Sequence, residues 1–263
     1  MTALQDLPKT IIFLDIPTRR GAPNSPNTWK VRLLLNYKGL EYTTQWVPSA
    51  DIERTCKSLD IPPTGTQPNG EPRYTLPALV DNTKTPPVLL SDSVPIMEYL
   101  DGAYPASNRL AFPGESRALQ YVLQKYLDMS IWPHVMRLMV MDMYRLKLPA
   151  DQQHFRTRLE AIFGQPLEQL EAQGEERVRV WGLVEGAFGA LAQSLAANGD
   201  GEFFMGKSPS YADFAICAVL IFFKTTSPEE AWGRISKFDS GRWDALYHSC
   251  QKWAEVDGHP VSE

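Results

Sequence analysis

The sequence predicts two units of different class, an α/β unit over residues 1–105 and an all-α unit over residues 106–263. Three observations carry this. Short β-branched runs alternate with helical patterns only in the first stretch, and beyond "AYPASNRLAFPGE" no strand pattern appears. The chain, 263 residues and 43% hydrophobic, also carries enough apolar mass for real cores.

The elements follow in order. "IIFLDI" (Ile11 to Ile16) reads as a strand. Ser25 is a good N-cap, Pro26 suits the first helical position, and Gly39 is placed as a left-handed C-cap, which predicts a helix over 27–38. "YTTQWV" (Tyr42 to Val47) is a second strand, and the βαβ unit makes the two strands parallel. A short polar helix (Asp51 to Leu59) and a Pro/Gly-rich loop come next. "ALVD" and "PVLLS" suit a hairpin, followed by a helix from Asp92 to Ala103. The order β-α-β-α-β-β-α is thioredoxin-like. From Arg117 to Lys147 runs one long helical pattern, with a kink expected at Trp132-Pro133. Residues 151–163, 167–197, 211–224, 228–236 and 242–255 also read as helices. Ser210 with Asp213 forms a capping-box start for the apolar run "FAICAVLIFF".

Composition excludes several function classes. Net charge is −5 and no basic run stands out, which argues against a nucleic-acid partner. The longest apolar run is about half a membrane span and reads as a buried helix. The start lacks a basic n-region, so no signal peptide is expected. Three cysteines, Cys56, Cys217 and Cys250, imply no disulfide framework and fit a reducing, cytoplasmic compartment. The four histidines show no metal-ligand spacing, so no metal is expected. No G-x-S-x-G or Gly-rich phosphate loop occurs.

Three short elements then fall into a known arrangement: "SPNTWKVR" opening the first helix, "TLPALVD" with Pro77 before the third strand, and "LLSDSVPIMEYL" with Asp92-Ser93 opening the third helix. With the all-helical second half, the whole chain resembles a cytosolic glutathione transferase. "SPNTWKVRLLLNYKGLEY" and "YTLPAL" are most similar to the fungal-specific class A transferases, which are akin to bacterial lignin β-etherases.

The resemblance implies roles. Pro77 matches the family's cis-proline, and Leu76 would then present its N–H and C=O to the cysteinyl backbone of glutathione as an added strand. Ser93 would hold the γ-glutamyl carboxylate and Asp92 the ammonium; a helix N-terminus is an anion site in any case. Ser25 stands where many relatives have a cysteine. A serine cannot exchange disulfides, but its hydroxyl can donate to a thiolate and, with the helix end, lower the thiol pKa from about 8.5. Asn27 and Thr28, one turn in, are the alternatives, and a hydroxyl committed to capping is badly aimed at a ligand. Lys57, Gln67 and Arg73 are candidate donors to the glycyl carboxylate.

The acceptor would lie near the kinked helix. Five of the eight methionines, Met129, Met136, Met139, Met141 and Met143, fall there, and thioethers suit varied aromatic ligands. One helix stripe can face a pocket, so Met129 and Met136 are taken with Trp29, Tyr126 and Trp132. The expected activity is conjugation of glutathione to, or ether cleavage of, hydrophobic aromatic or phenolic electrophiles in detoxification. The alternative is a ligandin-type binding protein for such molecules. The resemblance further implies a homodimer.

Overall fold

The structure, a computed structural model, describes residues 7–105, 109–199, 201–257 and 259–260. They divide into two compact units. The first contains the described residues up to Ala111 together with those from Lys252 onward; the second is Phe112–Gln251.

In the first unit β1 (Ile11–Asp15) leads to α1 (Pro26–Lys38), β2 (Tyr42–Trp46) and α2 (Ile52–Ser58). The Pro/Gly-rich loop carries a small hairpin, β3 (Gly65–Thr66) and β4 (Pro72–Arg73), which the sequence pattern is too short to announce. Next come β5 (Ala78–Asp81), β6 (Val88–Ser91) and α3 (Ser93–Ala103). The main sheet has the order β2-β1-β5-β6. β1 is parallel to β2, as a βαβ crossover requires, and antiparallel to β5, while β5 and β6 form the expected hairpin. Side chains alternate across the pleat. Ile12, Leu14, Ala78 and Val80 pack with Cys56, Leu59 and Ile61 on one face. Phe13 and Asp15 point to the other face, where Arg32 of α1 stands 5.0 Å from the Phe13 ring centroid.

Helix α1 ends as its sequence foretells. Gly39 adopts φ 69°, and its N–H and that of Leu40 return to Asn36 and Leu35 carbonyls. The C-terminal stretch departs from the division at residue 105. Asn36 donates to the Trp253 and Glu255 carbonyls at 2.7 and 3.0 Å, and Tyr37 meets Trp253 edge-on. These contacts tie residues from Lys252 onward, including β7 (Glu255–Val256) and β8 (His259–Pro260), to the first unit.

The second unit is helical: α4 (Arg117–Ser130), α5 (Trp132–Leu146), α6 (Pro149–Phe163), α7 (Leu167–Leu170), α8 (Gly174–Ala196), α9 (Tyr211–Thr226), a π-turn (Pro228–Trp232), α10 (Gly233–Ile235) and α11 (Arg242–Gln251). The expected kink is the break between α4 and α5 at Ile131, with Pro133 in the first turn of α5. The pattern over 167–197 is two helices rather than one. Ala172 donates instead to the Arg137 carbonyl at 2.7 Å, and Glu171 is extended. This break lets Leu167 and Leu170 pack with Val140, Phe155 and Leu159. Nearly every residue of α9 is buried, as an apolar-all-round helix must be.

Candidate functional site

The register Leu14↔Ala78 and Ala78↔Ser91 places the C-terminal ends of β1 and β6 and the N-terminal end of β5 at one edge of the sheet. The chain leaving β1 opens α1 and the chain leaving β6 opens α3, so two helix N-termini come to that edge. The Leu76-Pro77 peptide, cis as expected, precedes β5 at the same place. The Asp92 N–H donates to the Pro77 carbonyl at 3.1 Å, which joins two of the predicted site elements directly. Among the described residues the Leu76 N–H and C=O have no backbone partner. They are a free pair at a strand end, suited to an added strand.

Asp92 is strained. Its φ of 75° and ψ of 141° lie in a region that favours glycine. Its carboxylate accepts the Ser93 N–H at 2.6 Å, with the Ser93 hydroxyl 3.4 Å away. Ser93 itself is buried and Asp92 exposed. The expected γ-glutamyl pair is thus a self-capped turn at the start of α3, with its acid open to solvent.

At α1 the three hydroxyl and amide candidates separate. Ser25 is half-buried and extended (φ −69°, ψ 120°), and its side chain makes no cap hydrogen bond. Its hydroxyl is not committed to the helix, contrary to the capping role assigned to it from sequence. Asn27 is exposed in the first turn. Thr28 is fully buried; its hydroxyl donates to the Ser25 carbonyl at 3.0 Å and lies beside the Asp15 carboxylate. That commitment removes Thr28 from the candidates for touching a bound thiol.

A glutathione S-transferase N-terminal domain model matches residues 24–103, and a C-terminal domain model matches residues 118–253. The glutathione S-transferase-like protein ustS of Aspergillus flavus is 32% identical, over 98% of this chain and 95% of its own. The chain belongs to the glutathione transferase family. The crystal structure of glutathione transferase GSTFuA3 from Phanerochaete chrysosporium matches at 33% identity and a TM-score of 0.87, covering 94% of this chain and 98% of that one. The transferase CsGST63524 of Ceriporiopsis subvermispora, solved in complex with glutathione, matches at 34% and 0.86 with the same coverage. These fungal likenesses agree with the class A resemblance in the sequence.

The residues expected on the acceptor side fall in different surroundings. Trp29 is 0% exposed and its indole N–H donates to the Pro23 carbonyl at 2.9 Å. It is core of the first unit and is withdrawn from the pocket candidates. Tyr126 and Trp132 are half-buried; the Tyr126 hydroxyl donates to the Ala187 carbonyl at 2.8 Å, and Trp132 meets Phe222 edge-on. Met136 is partly buried against the α5–α6–α7 cluster, and Met129 is 75% exposed. Of the glycyl-carboxylate candidates, Lys57 pairs with Glu53 at 2.6 Å and Gln67 donates to the Pro72 carbonyl at 3.2 Å. Arg73 is exposed on β4. Among the described residues, no group of three or more His, Cys, Asp or Glu could hold a metal ion. No described helix is long and apolar enough to cross a membrane.

Sequence reasoning missed the buried charge beneath α1. Asp15 and Arg32 pair at 2.8 Å, both side chains 0% exposed. Arg32 also donates to the Tyr42 hydroxyl and to Thr44, each at 3.1 Å. Rings of Phe13, Trp29, Tyr42 and Trp46 surround the guanidinium at 5.0–5.8 Å. Burial pushes the Asp15 carboxyl up, opposed by Arg32 and by hydrogen bonds from Thr28, Arg32 and Ile16. Burial works against the Arg32 charge too, but Asp15 and Tyr42 together outweigh it and hold the guanidinium protonated. The signal was an acid ending "IIFLD" and an Arg inside the apolar "WKVRLLL".

Proposed function

We propose that the protein ionises the thiol of glutathione at the Ser25 end of α1 and transfers it to hydrophobic aromatic electrophiles, with detoxification as its setting and the cytoplasm as its compartment. The observation that carries this is the Ser25 hydroxyl, free of its cap bond at the sheet edge that also holds Leu76-Pro77 and Asp92-Ser93. The edge fits glutathione chemically. Leu76 offers one N–H and one C=O to the peptide, the α3 N-terminus with Ser93 suits the γ-glutamyl carboxylate, and Asp92 suits its ammonium.

Near Ser25 the positive end of α1 favours a thiolate over a thiol, and the hydroxyl donates to the sulfur anion. Asn27, exposed in the same turn, is the second donor. The thiolate then attacks the electrophilic carbon, or displaces an aryloxide if the acceptor is a β-aryl ether. Tyr126 and Trp132, with Met136, are the acceptor-side candidates that keep an aromatic or adaptable surface. Met129 is reassigned. With Leu119 and Val122 it forms an exposed apolar stripe along α4, which suits the interface of a homodimer better than a closed pocket.

Steady-state conjugation of an aryl halide by wild type and Ser25→Ala tests this reading. We expect kcat to fall about 100- to 1,000-fold, the range for losing one donor to a developing anion, with KM for glutathione nearly unchanged. An unchanged kcat in Ser25→Ala would move the role to Asn27. Glutathione binding without conjugation of any electrophile tried would favour the ligandin alternative.

A further inference from the structure

The buried Asp15–Arg32 pair has no contact with the exterior, so its function must act through what it holds. Asp15 closes β1, and its two carboxylate oxygens reach the two elements that meet there. Oδ1 accepts the Ile16 N–H at 2.7 Å, fixing the chain as it leaves the strand. Oδ2 takes Arg32 of α1 at 2.8 Å. Thr28, four residues before Arg32 and on the same helix face, has its hydroxyl beside Asp15, and the single proton of that hydroxyl goes to the Ser25 carbonyl at 3.0 Å. One carboxylate therefore holds α1 through Arg32 and faces, one turn earlier, the Thr28 hydroxyl that is tied to the Ser25 peptide. On the far side Arg32 is fixed to β2 by Tyr42 and Thr44.

Stability does not account for such a pair. Two charges at 0% exposure are costly to desolvate, and apolar residues of equal volume usually do as well or better. A forked guanidinium on a carboxylate does supply direction, which packed methyl groups do not. We propose that the Asp15–Arg32 pair, acting through Thr28, is the positioning device that sets the rotation and seat of α1, and so aims the Ser25 hydroxyl and the first-turn N–H groups at the glutathione sulfur. Asp15 and Arg32 are positioning residues and do not touch substrate. This rests on the thiol-ionising reading of Ser25 given above. The charge balance matters as well. Asp15 alone under the helix start would oppose a thiolate, and Arg32 cancels it.

The test uses two variants of the full chain, the double Asp15→Leu/Arg32→Met and the single Thr28→Val. Each is followed by thermal unfolding, by kcat and KM, and by ultraviolet titration of the bound thiol. For the double variant we expect a melting temperature at or above wild type and KM for glutathione within about twofold, because the Leu76 and α3 grips are untouched. We expect kcat to fall about tenfold and the bound thiol to titrate higher, toward about 8.5. Thr28→Val, which removes only the hydroxyl link, should reproduce part of the kcat loss without unfolding. A folded double variant with wild-type kcat and thiol titration would overturn the proposal. If the double variant fails to fold, wild-type kcat in Thr28→Val overturns it instead. Failure of the underlying reading would show in the wild type, as a bound thiol that titrates like free glutathione.

Discussion

Asp92 holds a backbone conformation that costs about 1–3 kcal/mol for a residue with a side chain, at the point where β6 becomes α3. Such strain persists where a side chain is needed in that place, and here the side chain is an exposed carboxylate beside the free Leu76 peptide groups. Asp92→Gly separates strain from function. Glycine adopts φ 75° readily, so unfolding by urea should show stability unchanged or raised by up to about 1 kcal/mol. The same variant should lose at least about tenfold in glutathione affinity by calorimetry, since the ammonium partner is gone. Loss of stability with intact affinity would make Asp92 a structural cap only. Thr28 teaches the complementary lesson. It is a hydroxyl at the same helix start as Ser25, and sequence alone kept it as an alternative. Burial and the bond to the Ser25 carbonyl decide between them, and the burial is beside Asp15, 13 positions earlier in the chain.

At the scale of elements, α9 shows how far local chemistry reaches. Ser210 and Asp213 were legible as a capping box, and the structure has it. Asp213 accepts the Ser210 N–H at 2.8 Å, the Ser210 hydroxyl at 2.9 Å and the Phe204 N–H at 2.9 Å. Phe204 was not legible, because it is recruited from the loop before the helix. Asp213→Ala leaves these donors buried without their acceptor and should cost about 2–4 kcal/mol in urea unfolding. The pH dependence has a definite sign. Burial raises the Asp213 carboxyl to about 6, against the hydrogen bonds it accepts, whereas the unfolded value is about 3.9. The folded state thus binds a proton that the unfolded state has released between about pH 4 and 6. This group's contribution to stability is full below about pH 4 and declines as pH rises through 6. Relative to Asp213→Asn, the wild type should gain stability as pH is lowered across that window; a flat difference would contradict it.

At the scale of the molecule, the order of elements was legible because each carries its own local signal: a β-branched apolar run in "IIFLDI", continuous apolarity in α9, and turn chemistry at Ser25-Pro26 and Gly39. Tertiary choices were not. The return of Trp253 and Glu255 to Asn36, the burial of Trp29, the break at Glu171 and the pairing of Asp15 with Arg32 across 17 positions are settled by contacts that no local window contains. The exposed stripe of Leu119, Val122 and Met129 on α4 is the whole-molecule counterpart. If it seats a second copy, Leu119→Glu with Val122→Glu should convert a dimer to a monomer in light scattering while leaving the circular dichroism unchanged. A wild-type monomer, or an unaltered dimer, would remove the stripe from the interface. The central claim is an activated thiol at Ser25, and it is tested most directly by ultraviolet difference titration of bound glutathione against pH in wild type and Ser25→Ala. We predict a thiol that titrates at about 7 or below in the wild type and moves back toward about 8.5 in the variant. A wild-type thiol that titrates as in free glutathione would contradict the account.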